Sequence, residues 1–178
     1  MSIEDLRYPI GRFTAPDVIS HAHVEEWIEE IARLPADLRS AVEPLTAAQL
    51  DTPYRPDGWT VRQVVHHLAD SHMNSVIRFK WALTEDRPTI KAYYEDRWAE
   101  LPDYTAVPVS TALSLLDALH ARWVGLLREL DPKDMKREFV HPDSGPVRLE
   151  RNIGIYAWHG RHHLAHITRL AEREGWSS

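Results

Sequence analysis

Four long segments of the chain carry apolar residues at three- and four-residue steps, and that periodicity leaves little besides a bundle of helices to fold into. The first segment places Val24, Trp27, Ile28, Ile31, Leu34, Leu38, Val42 and Leu45 on one face. Pro35 falls inside it, and its missing backbone donor predicts a kink or a break after Leu34. The second opens at Thr60, a capping residue, and runs to about Leu83, with Val61, Val65, Leu68, Val76, Phe79 and Leu83 in one stripe. Beside this stripe lies a more polar lane of Val64, His67, Ser71, Asn74 and Arg78, which fits either a solvated surface or a cavity wall. The third covers residues 110–130, with Ala112, Leu115, Leu116, Leu119, Trp123, Leu126, Leu127 and Leu130 on its inner side. The last begins near Glu150 and stops at Gly175, a natural C-terminal signal.

The connections refine this outline. "PLTAAQLDTPYRPDG" reads as a connector with one brief helical turn. "TEDRPTIKAYYEDRWAELPDYTAVP" is too long for a tight turn between antiparallel helices, and long crossovers change the direction pattern of a bundle. "REFVHPDSGPVRLE" sets Asp-Ser-Gly-Pro between apolar alternations and predicts a small hairpin. The expected fold is an all-α four-helix bundle with a long crossover and a minor β-hairpin, one domain over residues 1–178.

Composition narrows the chemistry. The chain has no cysteine, which removes a thiol nucleophile, disulfides and thiolate-bound metal and leaves histidine and carboxylate chemistry. A net charge of -6, with basic residues scattered among acidic ones, gives no electrostatic footprint for nucleic acid or an anionic membrane. The opening "MSIEDLRYPIGRF" lacks the basic flank and apolar core of a signal peptide, and no apolar run approaches membrane-spanning length. A cytoplasmic protein whose partner is a small molecule or another protein is the expectation.

Residues 156–167, "YAWHGRHHLAHI", hold four of the chain's 11 histidines. On a helix, Asn152, Tyr156, His159, His163, His166, Ile167 and Leu170 share one face, so three imidazoles occupy the stripe expected to be buried. A single buried histidine is usually a satisfied core residue. Three would leave ring donors and acceptors to satisfy, at about 1 to 3 kcal/mol for each left unpaired, and a shared ion satisfies several together. His159 and His163, one turn apart, can reach the same ion. His162 projects off the stripe and is expected to be exposed or in an outer layer. Position 160 is glycine, so the glutamate of the zincin motif is missing. Ferritin-like sites need Glu-x-x-His on two helices, and no expected helix carries one. Gly-x-Ser-x-Gly and glycine-rich phosphate loops are absent too.

The phrases "YRPDGWTVRQVVHHLADSHMN" and "NIGIYAWHGRHHLAHI", with "RYPIGRF" and "KAYYEDRWAELPDY", resemble the DinB-like superfamily, and closely its YfiT-type group of metal-dependent hydrolases. The resemblance covers nearly the whole length. It implies an up-down-down-up bundle, often a homodimer, with one divalent ion between the second and last long helices. It also implies the ligand set: a histidine before Leu-x-Asp, here His67, and a His-x-x-x-His pair, here His159 and His163. His166 stands where the broader family often has glutamine, in "LAHI".

Three protein ligands leave a position open for water or substrate, as catalytic zinc sites do. Zinc is the first expectation for the ion and nickel the second. Ser71, Asn74, Arg78 and Tyr156 are the expected substrate-binding groups, Arg78 as a clamp for a carboxylate or phosphate. Asp70 and His166 are the candidates for a general base. Water activation would make the protein a hydrolase; activation of a low-molecular-weight thiol would make it a thiol S-transferase, and the superfamily contains such enzymes. A closed site including His166 would instead favour a non-catalytic metal-binding protein.

Overall fold

In a computed structural model that describes residues 2–176, the elements run α1 (Ile3–Arg7), α2 (His21–Val42), α3 (Ala47–Leu50), α4 (Val61–Thr84), α5 (Glu95–Trp98), α6 (Asp103–Ala106), α7 (Val109–Arg128), α8 (Pro132–Met135), β1 (Glu138–His141), β2 (Gly145–Arg148) and α9 (Leu149–Glu174). The predicted starts and stops have visible causes. Thr60 caps α4 reciprocally with Gln63: its hydroxyl accepts from the Gln63 N–H at 3.2 Å, and the Gln63 carboxamide accepts from the Thr60 N–H at 3.0 Å. Gly175 ends α9 in the left-handed region at φ 65°. The expected turn in the first connector is α3, and the expected hairpin is β1 paired antiparallel with β2. The Glu-x-x-His spacing from Glu138 to His141 lies on β1, where Glu138 pairs with Arg87 at 2.6 Å, and not on a bundle helix.

The bundle is ordered α2-α7-α4-α9, with α2 and α4 each packed against both α7 and α9. Directions follow from the contacts. Trp27 covers Gly154 and Leu34 covers Gly160, so α2 and α9 run parallel. Phe79 meets Trp123 while His72 meets His120, so α4 and α7 run parallel as well. Ser75 accepts from Asn152 while Ser71 donates to Tyr156, which sets α4 antiparallel to α9. The topology is therefore up-down-down-up, and the crossover that carries α5 and α6 joins the two parallel helices α4 and α7. Among the described residues no helix is long and apolar enough to cross a membrane.

An expected break is absent and an expected face is rotated, each for a physical reason. α2 is not broken at Pro35; it runs unbroken to Val42. The helix tolerates the proline because the carbonyl it cannot serve, that of Ile31 four residues earlier, accepts instead from His120 Nδ1 at 2.7 Å. The inner face of α7 is also rotated. Leu113, His120 and Val124 are buried, whereas Leu115 is 43% exposed and Leu119, Leu126 and Leu130 are only half-buried. The leucines of α7 spread over an arc that reaches past the buried face, so periodicity alone does not choose its centre, and His120 belongs to the inner side.

The core is two apolar clusters. One gathers Trp27, Ile31, Phe79, Trp123 and Ile153, the other Leu38, Val61, Leu68, Leu116 and Ile167. Buried histidines from α4, α7 and α9 accompany them.

Candidate metal centre

His67 stands on α4 four residues beyond Gln63 of the cap, and His159 and His163 stand one turn apart on α9. The antiparallel packing of these helices brings the three rings together. His67 Nε2 lies 3.3 Å from His159 Nε2. The ring centroids of His67 and His163 are 4.8 Å apart, and those of His159 and His163 are 4.5 Å apart. Each residue offers a ring nitrogen within 4.8 Å of the others'. Two nitrogens bound to one tetrahedral zinc at about 2.0 to 2.1 Å sit about 3.3 to 3.4 Å apart, so the His67–His159 spacing fits such an ion and His163 stands within reach of it.

Burial favours the metal-binding form of these rings. It pushes the imidazole pKa of His159 and His163 well below the ordinary value and that of His67 down to about 4. Neutral imidazole is the form that has a lone pair to give. The polar lane on α4 is a cavity wall: His67, Ser71 and Arg78 line a cleft of about 540 Å³ with Tyr8, Trp59, Tyr93, Glu95, Trp158 and His162. A larger and more apolar cleft of about 670 Å³ lies between the start of α2 and the end of α7, and no trio of ligating side chains converges there among the described residues. Chemistry, not size, points to the smaller one.

The other expected site residues divide. Arg78 is 9% exposed, lines the histidine cleft, and has no carboxylate partner among the described residues. Ser71 lines it too and donates weakly to the Tyr156 hydroxyl at 3.4 Å. Tyr156 itself lies a layer behind, edge-on to His72 and Trp123. Asn74 is turned along its own helix, donating to the Asp70 carbonyl at 2.9 Å, and does not line the cleft. Asp70 accepts from the Tyr104 hydroxyl at 2.6 Å, away from the cleft, and burial raises its pKa. The carboxylates that do line the cleft are Glu95 and Asp143.

His166 stacks on Tyr54 at 3.9 Å, donates its Nε2 proton to the Arg7 carbonyl at 3.1 Å, and does not line the cleft. Of the two placements expected for His162, exposure fails: it is buried against Trp158 and Tyr8 and lines the cleft. The cover comes from the segment before α2, whose Arg7 and Gly11 carbonyls accept from His166 and Trp158. No helix projection shows a cover supplied from so far along the chain.

His72 and His120 were not singled out from the sequence, yet both are completely or almost completely buried, and His72 Nε2 is 3.2 Å from His159 Nδ1. A signal existed. His72 sits in the series Val65, Leu68, His72, Val76, Phe79, and His120 in Leu116, His120, Trp123, Leu127, both at apolar-stripe spacing.

Comparison with known proteins agrees with the fold. The sequence profile of the DinB superfamily matches residues 30–167. A protein of Bacillus mycoides (strain KBAB4), provisionally named a metal-dependent hydrolase, is 58% identical over 174 residues that cover 98% of this chain and 100% of the relative. A Bacillus cereus protein with the same provisional name is 57% identical with the same coverage. The solved structure of YfiT from Bacillus subtilis, also provisionally a metal-dependent hydrolase and noted for an unusual four-helix bundle topology, is 52% identical. It superposes with a TM-score of 0.95 over 97% of this chain and 99% of YfiT.

Proposed function

The chain belongs to the DinB superfamily, and we propose that it is a metal-dependent hydrolase whose His67, His159 and His163 hold one divalent cation, zinc first and nickel second. The observation that carries this reading is the 3.3 Å between the Nε2 atoms of His67 and His159, with His163 in reach of the same point. A divalent ion held there supplies Lewis acidity and lowers the pKa of water toward about 7.

The chain's own groups then do the rest. Arg78 grips an anionic group of the substrate, because a buried guanidinium with no carboxylate partner among the described residues gains most from a bidentate anion. Trp59, Trp158 and Tyr93 form apolar walls that orient the remainder and limit water in the cleft. Ser71 offers a hydroxyl between them. With Asp70 committed to Tyr104, the proton acceptor falls to Glu95 or Asp143. The substrate class is a small anionic molecule with an ester or amide bond.

Metal analysis of the wild type and of His67→Ala, His159→Ala and His163→Ala tests the ligand set; full metal retention in all three would overturn it. A turnover screen on anionic esters and amides, with and without a low-molecular-weight thiol, tests the reaction. Thiol-independent hydrolysis is expected. Turnover only with thiol present would replace hydrolysis by thiol transfer, and binding without turnover would leave a metal-binding protein.

A further inference from the structure

Three histidines form a row that ends on His159. Pro35 has no N–H, so the Ile31 carbonyl lacks its helical donor, and His120 Nδ1 lies 2.7 Å from it. A carbonyl only accepts, so that nitrogen carries the proton. A neutral ring has one donor and one acceptor, which makes His120 Nε2 the acceptor, and it lies 2.9 Å from His72 Nδ1. The same step repeats at the next ring. His72 Nδ1 donates, its Nε2 accepts, and His159 Nδ1 is the donor 3.2 Å away. All three donations run one way, toward Ile31. The direction leaves His159 Nε2, the atom beside His67 Nε2, with its lone pair.

We propose that His72 and His120 are positioning residues: anchored on the carbonyl that Pro35 leaves free, they hold His159 as its Nδ1–H tautomer and aim its Nε2 lone pair at the cation. The inference rests on the reading of His159 as a ligand. Hydrogen bonds to the far nitrogen of a ligating histidine commonly fix its tautomer and ring orientation. Here the support is two further histidines and a helix carbonyl instead of a single carboxylate. His72 is 0% exposed and His120 2%, and the row stops at a backbone oxygen, so it has no outlet to solvent and serves to hold the ring, not to pass protons out. Pro35 thereby acquires a role beyond the helix that contains it.

The test begins with the unaltered protein. Two-bond 1H–15N correlation spectra of the metal-free form should show His120, His72 and His159 all as Nδ1–H, the minor tautomer of a free histidine side chain. His159 as Nε2–H in that spectrum would overturn the proposal. His72→Phe keeps a buried ring and removes both nitrogens; competition against a chromophoric chelator should show zinc binding weakened roughly 10- to 100-fold. His120→Leu should lose less, on the order of 10-fold, because His72 remains beside His159. A folded His72→Phe variant that binds zinc within about twofold of the wild type would also overturn it. Zinc retention by His159→Ala would instead remove the ligand reading underneath, while the tautomers of the metal-free protein would still report the row, so the two failures are distinguishable.

Discussion

The buried histidines form two groups that meet at His159. In the inner row of His120, His72 and His159, each link is a hydrogen bond of 2.7 to 3.2 Å. In the outer group of His67, His162, His163 and His166, each ring has a buried Nδ1 with no partner among the described residues. Both groups lie in the same bundle and come partly from the same helices, so composition does not separate them. What separates them is where their hydrogen-bonding capacity ends. The inner row ends on a carbonyl, while His67, His162 and His163 of the outer group line an open cleft and retain capacity for something the protein does not itself supply. A saturated network is rigid, and an unsaturated one at about 1 to 3 kcal/mol per buried group persists where a ligand offsets the cost.

Removing the residue that belongs to both groups should have the largest effect. His159→Ala is expected to abolish stoichiometric metal binding, a loss of 100-fold or more on the order expected for a primary ligand against the 10- to 100-fold of its support. Metal analysis after dialysis checks it, and stoichiometric metal in the variant would break the division between the groups.

Acid comes next and acts on the outer group. Burial holds the pKa of His67 and His166 at about 4 and that of His162 at about 3, below the ordinary 6.5. Between pH 6.5 and 4 the unfolded chain therefore binds protons that the folded chain refuses, and stability falls as pH falls. It is fully present above 6.5. His67 alone should cost about 3 kcal/mol over that window at about 1.4 kcal/mol per pH unit. Urea unfolding of the metal-free protein at pH 7 and pH 4.5 measures it; equal stabilities would contradict the burial of neutral rings.

Arg78→Met should leave metal content unchanged and weaken anionic substrates by about 10- to 100-fold in KM, in line with about 1.5 to 3 kcal/mol for a charge-assisted hydrogen bond. An equal loss with neutral substrates would remove Arg78 from recognition. The smallest effect is expected from Pro35→Ala, which returns an N–H to compete for the Ile31 carbonyl. That carbonyl has two lone pairs and can keep His120 as a second donor. Zinc affinity should fall by only a fewfold, less than about 10-fold, and no change at all would show that the anchor does not depend on the proline.

The four helices were legible because each has a stripe at helical spacing and most have a cap: Thr60 with Gln63 opens α4, and Gly175 closes α9. The face of α7 was not, since its leucines spread over an arc wider than the buried face, and which part of that arc is inside shows only when its neighbours are placed. The His159 and His163 pair could be read from one helix, because residues four apart share a face. His67 came through resemblance, not periodicity, as its own lane could equally have faced solvent. The burial of His162, the turning of Asn74 and Asp70 away from the cleft, and the row through His72 and His120 needed the assembled bundle.

By itself, then, the sequence determined what local repetition encodes: helix limits, the stripes of α2, α4 and α9, the hairpin, and two imidazoles one turn apart. Tertiary structure decided everything that depends on a partner distant along the chain. The antiparallel seating of α4 on α9 brings His67 within 3.3 Å of His159. The neighbouring α7 supplies His120 to the carbonyl that Pro35 leaves free on α2. Helical periodicity is set by i to i+4 geometry within one element, whereas a hydrogen bond between elements depends on which faces meet, and that is fixed only when the bundle closes.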